Sequence, residues 1–118
     1  MTEIAYISGP MSGRPEFNYP AFEAASKVLQ HEGYAVLSPA DNFGGNTTLE
    51  RELYMEQDIR NVLSADRVVV LKGWHKSPGA LLEVAVAHEC GIPVFRFWDG
   101  TEVFIKKVIT VVQVAYGE

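Results

Sequence analysis

The 118 residues predict an α/β fold: a doubly wound, mostly parallel sheet of four to five strands in a three-layer α/β/α arrangement. Three observations predict it. Short apolar runs alternate with stretches of helical length and spacing along the chain, the pattern of successive βα units. The run Val68-Val69-Val70-Leu71 is β-branched and has no polar interruption, as a central parallel strand covered on both faces requires. The loops after these runs are rich in Gly, Pro and polar residues, so their chemistry gathers at the carboxyl ends of the strands, where such sheets bind ligands.

Each element has its own signal. Ile4 to Ile7 is an apolar run that stops at Ser8, Gly9 and Pro10, a buried first strand followed by a loop. Pro20 suits the first turn of a helix that Asn18 or Tyr19 can cap; Phe22, Ala25 and Leu29 recur at helical spacing until Gly33 ends it. Tyr34 to Leu37 is a second strand, and Pro39 to Asn46 is a loop. Thr47 with Glu50 forms a capping-box signature for a second helix reaching about Ser64, with Leu49, Leu53, Ile59, Val62 and Leu63 on its apolar face. Val68 to Leu71 is the third strand and Lys72 to Pro78 a loop. Ala80 to Cys90 has helical length with Gly91 as terminator, and Ile92 to Phe97 is the fourth strand. Asp99 with Glu102 can cap a last helix to about Val114, although the valines at 108, 111, 112 and 114 also suit a strand.

The length fits one domain over residues 1–118, able to bury roughly two-thirds of the surface its unfolded chain exposes. Apolar residues at 47% and charged residues at 21% exclude a disordered or fibrous chain. Ten basic against fifteen acidic side chains give a net charge of −5, too negative for a broad cationic field that would attract a nucleic-acid polymer. A small anion can still be held locally. Cys90 is the single cysteine, which excludes an internal disulfide, fits a reducing compartment and suggests a packing role. The first residues lack a basic segment followed by a long apolar run, and no stretch approaches the ~20 apolar residues of a membrane span. A cytoplasmic protein without a membrane partner is expected. His31 and His88 have no partner at metal-ligand spacing, so no metal site and no cofactor are predicted.

The sharpest anomaly is Glu83, which interrupts the otherwise apolar helix stretch Ala80 to Ala87. Such a carboxylate either reaches solvent or is buried with compensation, because an unpaired buried charge costs several kcal/mol or is neutralised by a pKa shift. Asp58 and Asp66, at the middle and end of the second helix, are placed by this reading toward the carboxyl edge of the third strand. Asp58 also reads as a plain surface residue, and Asp66 as the end of the helix that fixes the turn into Val68. Ser8-Gly9-Pro10-Met11-Ser12-Gly13-Arg14 follows the first strand; its glycines let backbone approach a ligand, and Ser12 and Arg14 offer donors to a phosphate. It has neither the Lys-Ser/Thr ending of a Walker loop nor the spacing of a dinucleotide fingerprint, and a simple βα turn fits it too. Ser77-Pro78-Gly79 can present free N–H groups and a hydroxyl to an anion at the positive end of the next helix, or Ser77 can serve only as its cap. Trp74 and His75 either stack on a base or are ordinary loop aromatics.

Together, Tyr6 to Gly9 with Gly13, Glu56-Gln57-Asp58 with Ala65 to Val70, and Ser77 to Glu83 resemble the nucleoside 2-deoxyribosyltransferase superfamily, including its 2′-deoxynucleoside 5′-monophosphate N-glycosidases. The resemblance covers most of the chain in order and separation. It is strongest to a branch of small phage and bacterial proteins sharing Tyr6 to Met11 and Asn18 to Phe22. It implies an enzyme that cleaves or transfers 2-deoxyribose from a small-molecule nucleoside or nucleotide. Glu83 would be the nucleophile, Asp58 would orient it or bond the sugar, and Tyr6 would position the deoxyribose. Gly9, Gly13, Ser77 and Gly79 would bind the 5′ end, with Arg14 as phosphate partner, and Ser8, Ser12, Asp66 and Trp74 complete the expected binding set. Related enzymes build their sites across subunits, so a homo-oligomer is expected as well. The alternative is a nucleotide-binding or sensing module on the same fold without turnover.

Overall fold

The first strand, β1, spans Ile4–Ser8, and its side chains alternate between two buried faces. Ala5 and Ile7 point to one face, where Phe22, Ala25 and Leu29 of helix α1 (Tyr19–His31) pack on them together with Val69 and Leu71. Tyr6 points to the other, which is covered by α2 (Arg51–Ser64) and α3 (Pro78–Glu89) through Val62, Ala80, Val84 and Ala87. The structure, a computed structural model, describes residues 2–98 and 101–104.

Strands β2 (Ala35–Leu37), β3 (Arg67–Val70), β4 (Val94–Trp98) and β5 (Thr101–Phe104) complete a sheet of order β2-β1-β3-β4-β5. The first four strands are parallel, and β5 joins β4 antiparallel. The apolar run at 68–70 is fully buried at the sheet centre, as its lack of polar residues demands. The chain runs from β1 outward to β2, then returns across β1 to β3. That reversal opens a crevice beyond the carboxyl ends of β1 and β3, the switch point at which doubly wound sheets hold ligands.

Three local expectations are corrected. Helix α2 begins at Arg51, with Glu50 at its N-cap and no capping side chain, so Thr47 and Glu50 form no capping box. Asn46 instead accepts hydrogen bonds on its side chain from the Thr48 N–H at 2.8 Å and the Thr48 hydroxyl at 2.7 Å. The Tyr54 hydroxyl accepts from Leu49 N–H and donates to the Asn46 carbonyl, which commits residues 46–49 to a turn. Second, residues 101–104 form a strand where the Asp99–Glu102 signature suggested a helix start; Thr101, Val103 and Phe104 favour a strand, and Asp99-Gly100 is a dipeptide preferred in two-residue hairpins. The rest of that expected helix lies outside the described residues. Third, Cys90 is exposed at the end of α3 and packs no core.

Phe22 anchors α1 to the sheet with almost none of its surface left to water. Phe22→Ala should therefore destabilise the protein by about 3–5 kcal/mol, read as a lower urea midpoint at unchanged slope. A loss below about 1 kcal/mol would show that the α1 face is not a packed core.

Candidate functional site

Glu83 faces inward. Its side chain is 4% exposed, whereas its neighbour Leu82 is 37% exposed, so α3 turns a carboxyl into the protein and leaves a leucine at the surface. This inverts the ordinary partition of polar and apolar groups, and such local conflicts mark functional sites. Ser8, at the carboxyl end of β1 and wholly buried, donates from its hydroxyl to Glu83 Oε1 at 2.6 Å. The residue expected to contact substrate is thus engaged in holding the carboxyl.

Asp58 of α2, 6% exposed, is the second buried carboxyl. Asn42 donates from Nδ2 to Asp58 Oδ1 at 2.6 Å. Burial, then the negative charge of Asp58, pushes the Glu83 pKa well above the usual carboxyl range, while the Ser8 bond pulls it part of the way back. Burial also raises Asp58, and hydrogen bonding from Glu83 and Asn42 opposes the rise. Burial beside a second carboxyl favours a state in which the two acids share one proton. The buried Tyr6 hydroxyl lies beside both acids without a hydrogen bond of full geometry, and burial followed by the two negative charges holds its pKa well above the ordinary phenol value. It is a donor in reserve.

Glu83 forms part of the wall of a cavity of about 540 Å³, within the range of small-molecule sites. The wall also takes in Gly9 to Ser12, Arg14, Pro39, Asn42, Arg51, Met55 and Gly73 with Lys76 to Ala80. These come from the segments after β1, β2 and β3 and from the ends of α2 and α3, so the switch-point topology places them. Asp58 and Tyr6 are not on the wall; they sit behind Glu83, in the layer that orients it. Ser77 lines the cavity while its hydroxyl accepts from Ala80 N–H at 3.3 Å, so it serves as helix cap and as wall. Gly9 is needed for close approach: a Cβ there would stand 2.9 Å from that of Leu71, forcing the loop off β3. Gly13 belongs to the same loop but lies off the wall.

Two expected residues are placed elsewhere. Asp66 precedes β3 at the amino ends of the strands, the sheet edge opposite the cavity, where Oδ2 accepts from Ile4 N–H at 2.7 Å and its own N–H donates to the Ile4 carbonyl at 2.8 Å. It ties β1 to β3 and does not meet ligand. Trp74 is 6% exposed and packs in the core with Tyr6, Ala80 and Val84, because a large apolar ring gains more from burial than from a loop position. It offers no face for stacking.

Sequence reasoning missed Asn42, Arg51, Lys76 and Gly73. Arg14, Arg51 and Lys76 are exposed members of the wall, so cations ring the mouth of a cavity whose deepest group is an acid. Gly73 has φ +83, and a Cβ on it would approach Arg14 Nη2 to 2.7 Å; glycine there gives the guanidinium its seat. A Gly between the third strand and a Trp-His-Lys turn was a visible signal for a special backbone, but not for its partner.

The raised pKa values set a pH dependence of stability. The native pair keeps a proton that the unfolded carboxyls release above about 4.5, so its contribution is full below that pH and is lost as pH rises through the raised native values. Stability should fall with rising pH in this window by up to about 1.4 kcal/mol per pH unit per proton. Glu83→Gln should flatten the slope and be the more stable protein at neutral pH, as shown by urea titrations at about pH 5 and about pH 8. Equal slopes in both proteins would mean that the acids are not a proton-sharing pair.

Among solved structures, the chain is similar to a conserved protein from Enterococcus faecalis V583, at TM-score 0.65 and 18% identity, over 97% of this chain and 88% of that one. It is similar to a 2-deoxyribosyltransferase from Bacillus psychrosaccharolyticus, at TM-score 0.68 and 19% identity, over 92% and 82% of the two chains. A 2-desoxiribosyltransferase from Leishmania mexicana gives TM-score 0.65 and 16% identity, over 80% of this chain and 63% of its own. The chain therefore has the fold of the 2-deoxyribosyltransferases. No curated protein matches it. Residues 3–96, which hold both acids and the whole described cavity wall, match the family described as "Domain of unknown function (DUF4406)", and the chain belongs to that family.

Proposed function

We propose that this protein cleaves the N-glycosidic bond of a 2-deoxyribonucleoside 5′-monophosphate, or transfers its 2-deoxyribosyl group, with Glu83 as nucleophile. The observation that carries the reading is the inward-facing Glu83, backed by Asp58, at the bottom of a cavity whose mouth carries Arg14, Arg51 and Lys76. Breaking the bond sends its electron pair to the base, which leaves with the proton the acid pair had shared, and builds positive charge at the anomeric carbon. A carboxylate fixed in a dry site stabilises that charge and forms a bond to the carbon. Water or a second base then attacks the same carbon, the bond to Glu83 breaks, and configuration is retained as in two-step glycosidases. Where water attacks, its proton passes to the acid pair.

The other site residues take roles that fit this chemistry. Ser8 holds Glu83 Oε1 in place, so the carboxyl has no freedom to turn from the cavity. Asp58 takes up or returns the shared proton. Tyr6 keeps a free donor next to the pair. The three cations favour a doubly charged phosphate over a neutral 5′-hydroxyl, and Ser12, Ser77 and Gly79 add polar wall on that side. Two of the proteins that share the fold are named as 2-deoxyribosyltransferases, which agrees with the reading. Exposed Leu53 and Leu63 of α2 and Leu82 of α3 are consistent with a homo-oligomer, testable by sedimentation against the 13.1 kDa chain mass.

Incubation with each 2′-deoxynucleoside 5′-monophosphate should release free base, and Glu83→Gln should lower turnover by on the order of 10³-fold or more while the fold persists. Release by that variant at the wild-type rate would remove Glu83 as nucleophile. Arg51→Ala and Lys76→Ala should each raise KM for the monophosphate about tenfold or more and leave that for the free nucleoside nearly unchanged. Equal effects on both substrates would place the phosphate elsewhere. Tight nucleotide binding with no base released from any of them would make the protein a binding module.

A further inference from the structure

A row of three amides ends on the acid pair. Gln57 donates from Nε2 to Asn61 Oδ1 at 2.9 Å, one turn along α2. Asn61 donates from Nδ2 to Asn42 Oδ1 at 3.3 Å, and Asn42 donates from Nδ2 to Asp58 Oδ1 at 2.6 Å. All three bonds run the same way, so each amide fixes the orientation of the next. Asn42 is buried, and its carbonyl already accepts from Asn61; a flip would set its NH2 group against the NH2 group of Asn61. The group that meets Asp58 can therefore only donate.

We infer that Asn42 is a positioning residue that keeps Asp58 as the ionised member of the pair, so that in the empty protein the shared proton resides on Glu83. An N–H pressed on Oδ1 stabilises the carboxylate form of Asp58 more than its protonated form, whose oxygens are weaker acceptors. The groups facing Asp58 are the Tyr6 phenol from β1, the Glu83 carboxyl from α3 and the Asn42 amide from the turn after β2. The opposite acid is held by the Ser8 hydroxyl, which donates to an ionised Glu83 and can turn to accept from a protonated one, as the Asn42 N–H cannot. The asymmetry is built by the amide row. As a statement about proton placement this stands on the hydrogen bonds alone. As a statement about catalysis it rests on the glycosyl-cleaving reading, in which Asp58 is then the base that must receive the Glu83 proton before the nucleophile is free.

The test is a pH titration of the side-chain carboxyl carbons of Asp58 and Glu83 by ¹³C NMR, in the ligand-free protein, so that it is independent of turnover. In wild type, Asp58 should titrate first as carboxylate and Glu83 last. Asn42→Leu keeps the side-chain volume and removes the donor; it should raise the Asp58 titration by about one unit or more and bring the proton onto Asp58. Asn61→Leu frees Asn42 to rotate and should shift Asp58 the same way by less, so the claim survives a failure of the first variant to fold. Asn42→Gln, which restores an amide donor, should return part of the shift, whereas a purely structural role would lower stability with the titration unmoved. Unchanged carboxyl titrations in both leucine variants, or a wild-type titration in which Glu83 ionises first, overturns the inference. An absence of base release with the expected titrations would sink the enzyme reading and leave the proton assignment standing.

Discussion

A carboxyl buried on an otherwise apolar helix is the constraint to which the rest of the structure answers. Glu83 cannot be left alone in the interior, because an isolated buried charge is expensive by several kcal/mol or more. The protein meets that demand with a hydroxyl from β1 on one oxygen, a second acid from α2 and a phenol beside both. The partners come from β1 and α2, so the pair can exist only when β1, α2 and α3 are docked. The site and the core are one assembly: Tyr6, Val84 and Ala80 belong to the same apolar cluster that carries the acids.

The sheet topology then decides where this acid pair opens to solvent. Parallel strands β1 and β3 end on one side, and the chain reversal between them opens a crevice there among the described residues. Gly9 permits the loop after β1 to lie directly on Leu71, and Gly73 gives Arg14 a place to lie across the next loop. These two close approaches draw the β1 loop and the β3 loop together. Glu83, buried, is part of the wall of the cavity that results.

Much of this was legible in the residues themselves, and the failures have physical causes. Strands β1 to β4 and α1 follow from apolar period and terminators, which act locally and are hard to mistake. Glu83 stood out because its surroundings on the helix are apolar, and burial turned the open choice between solvent and interior into an answer. Asn42 gave no such signal: an Asn in the loop Pro39-Ala40-Asp41-Asn42-Phe43-Gly44 looks like turn chemistry, and its bond to Asp58 depends on the fold of a segment sixteen residues away. Arg51 and Lys76 read as surface cations for the same reason. Asp66 and Trp74 were misplaced because a position along the chain does not say which sheet edge a loop occupies, nor whether a ring finds a core to enter. The capping box failed where Asn46 and Tyr54 offered the backbone a better set of partners.

The charge layout explains how an acidic protein can recruit an anion to an acidic site. The chain carries net −5, so attraction at long range is absent and screened in any case beyond about 8 Å at physiological salt. Recognition has to be local, and the three cations stand at the mouth while the negative pair is withdrawn into the interior. That pair carries one charge rather than two while it shares a proton, which lowers the repulsion an entering phosphate would meet. A ligand with an anionic end and a centre able to become positive fits such a field in one direction only: anion outward, electron-poor carbon inward. On the proposed function the shared proton would serve entry as well as chemistry, since a protonated Glu83 adds no negative charge to the cavity wall.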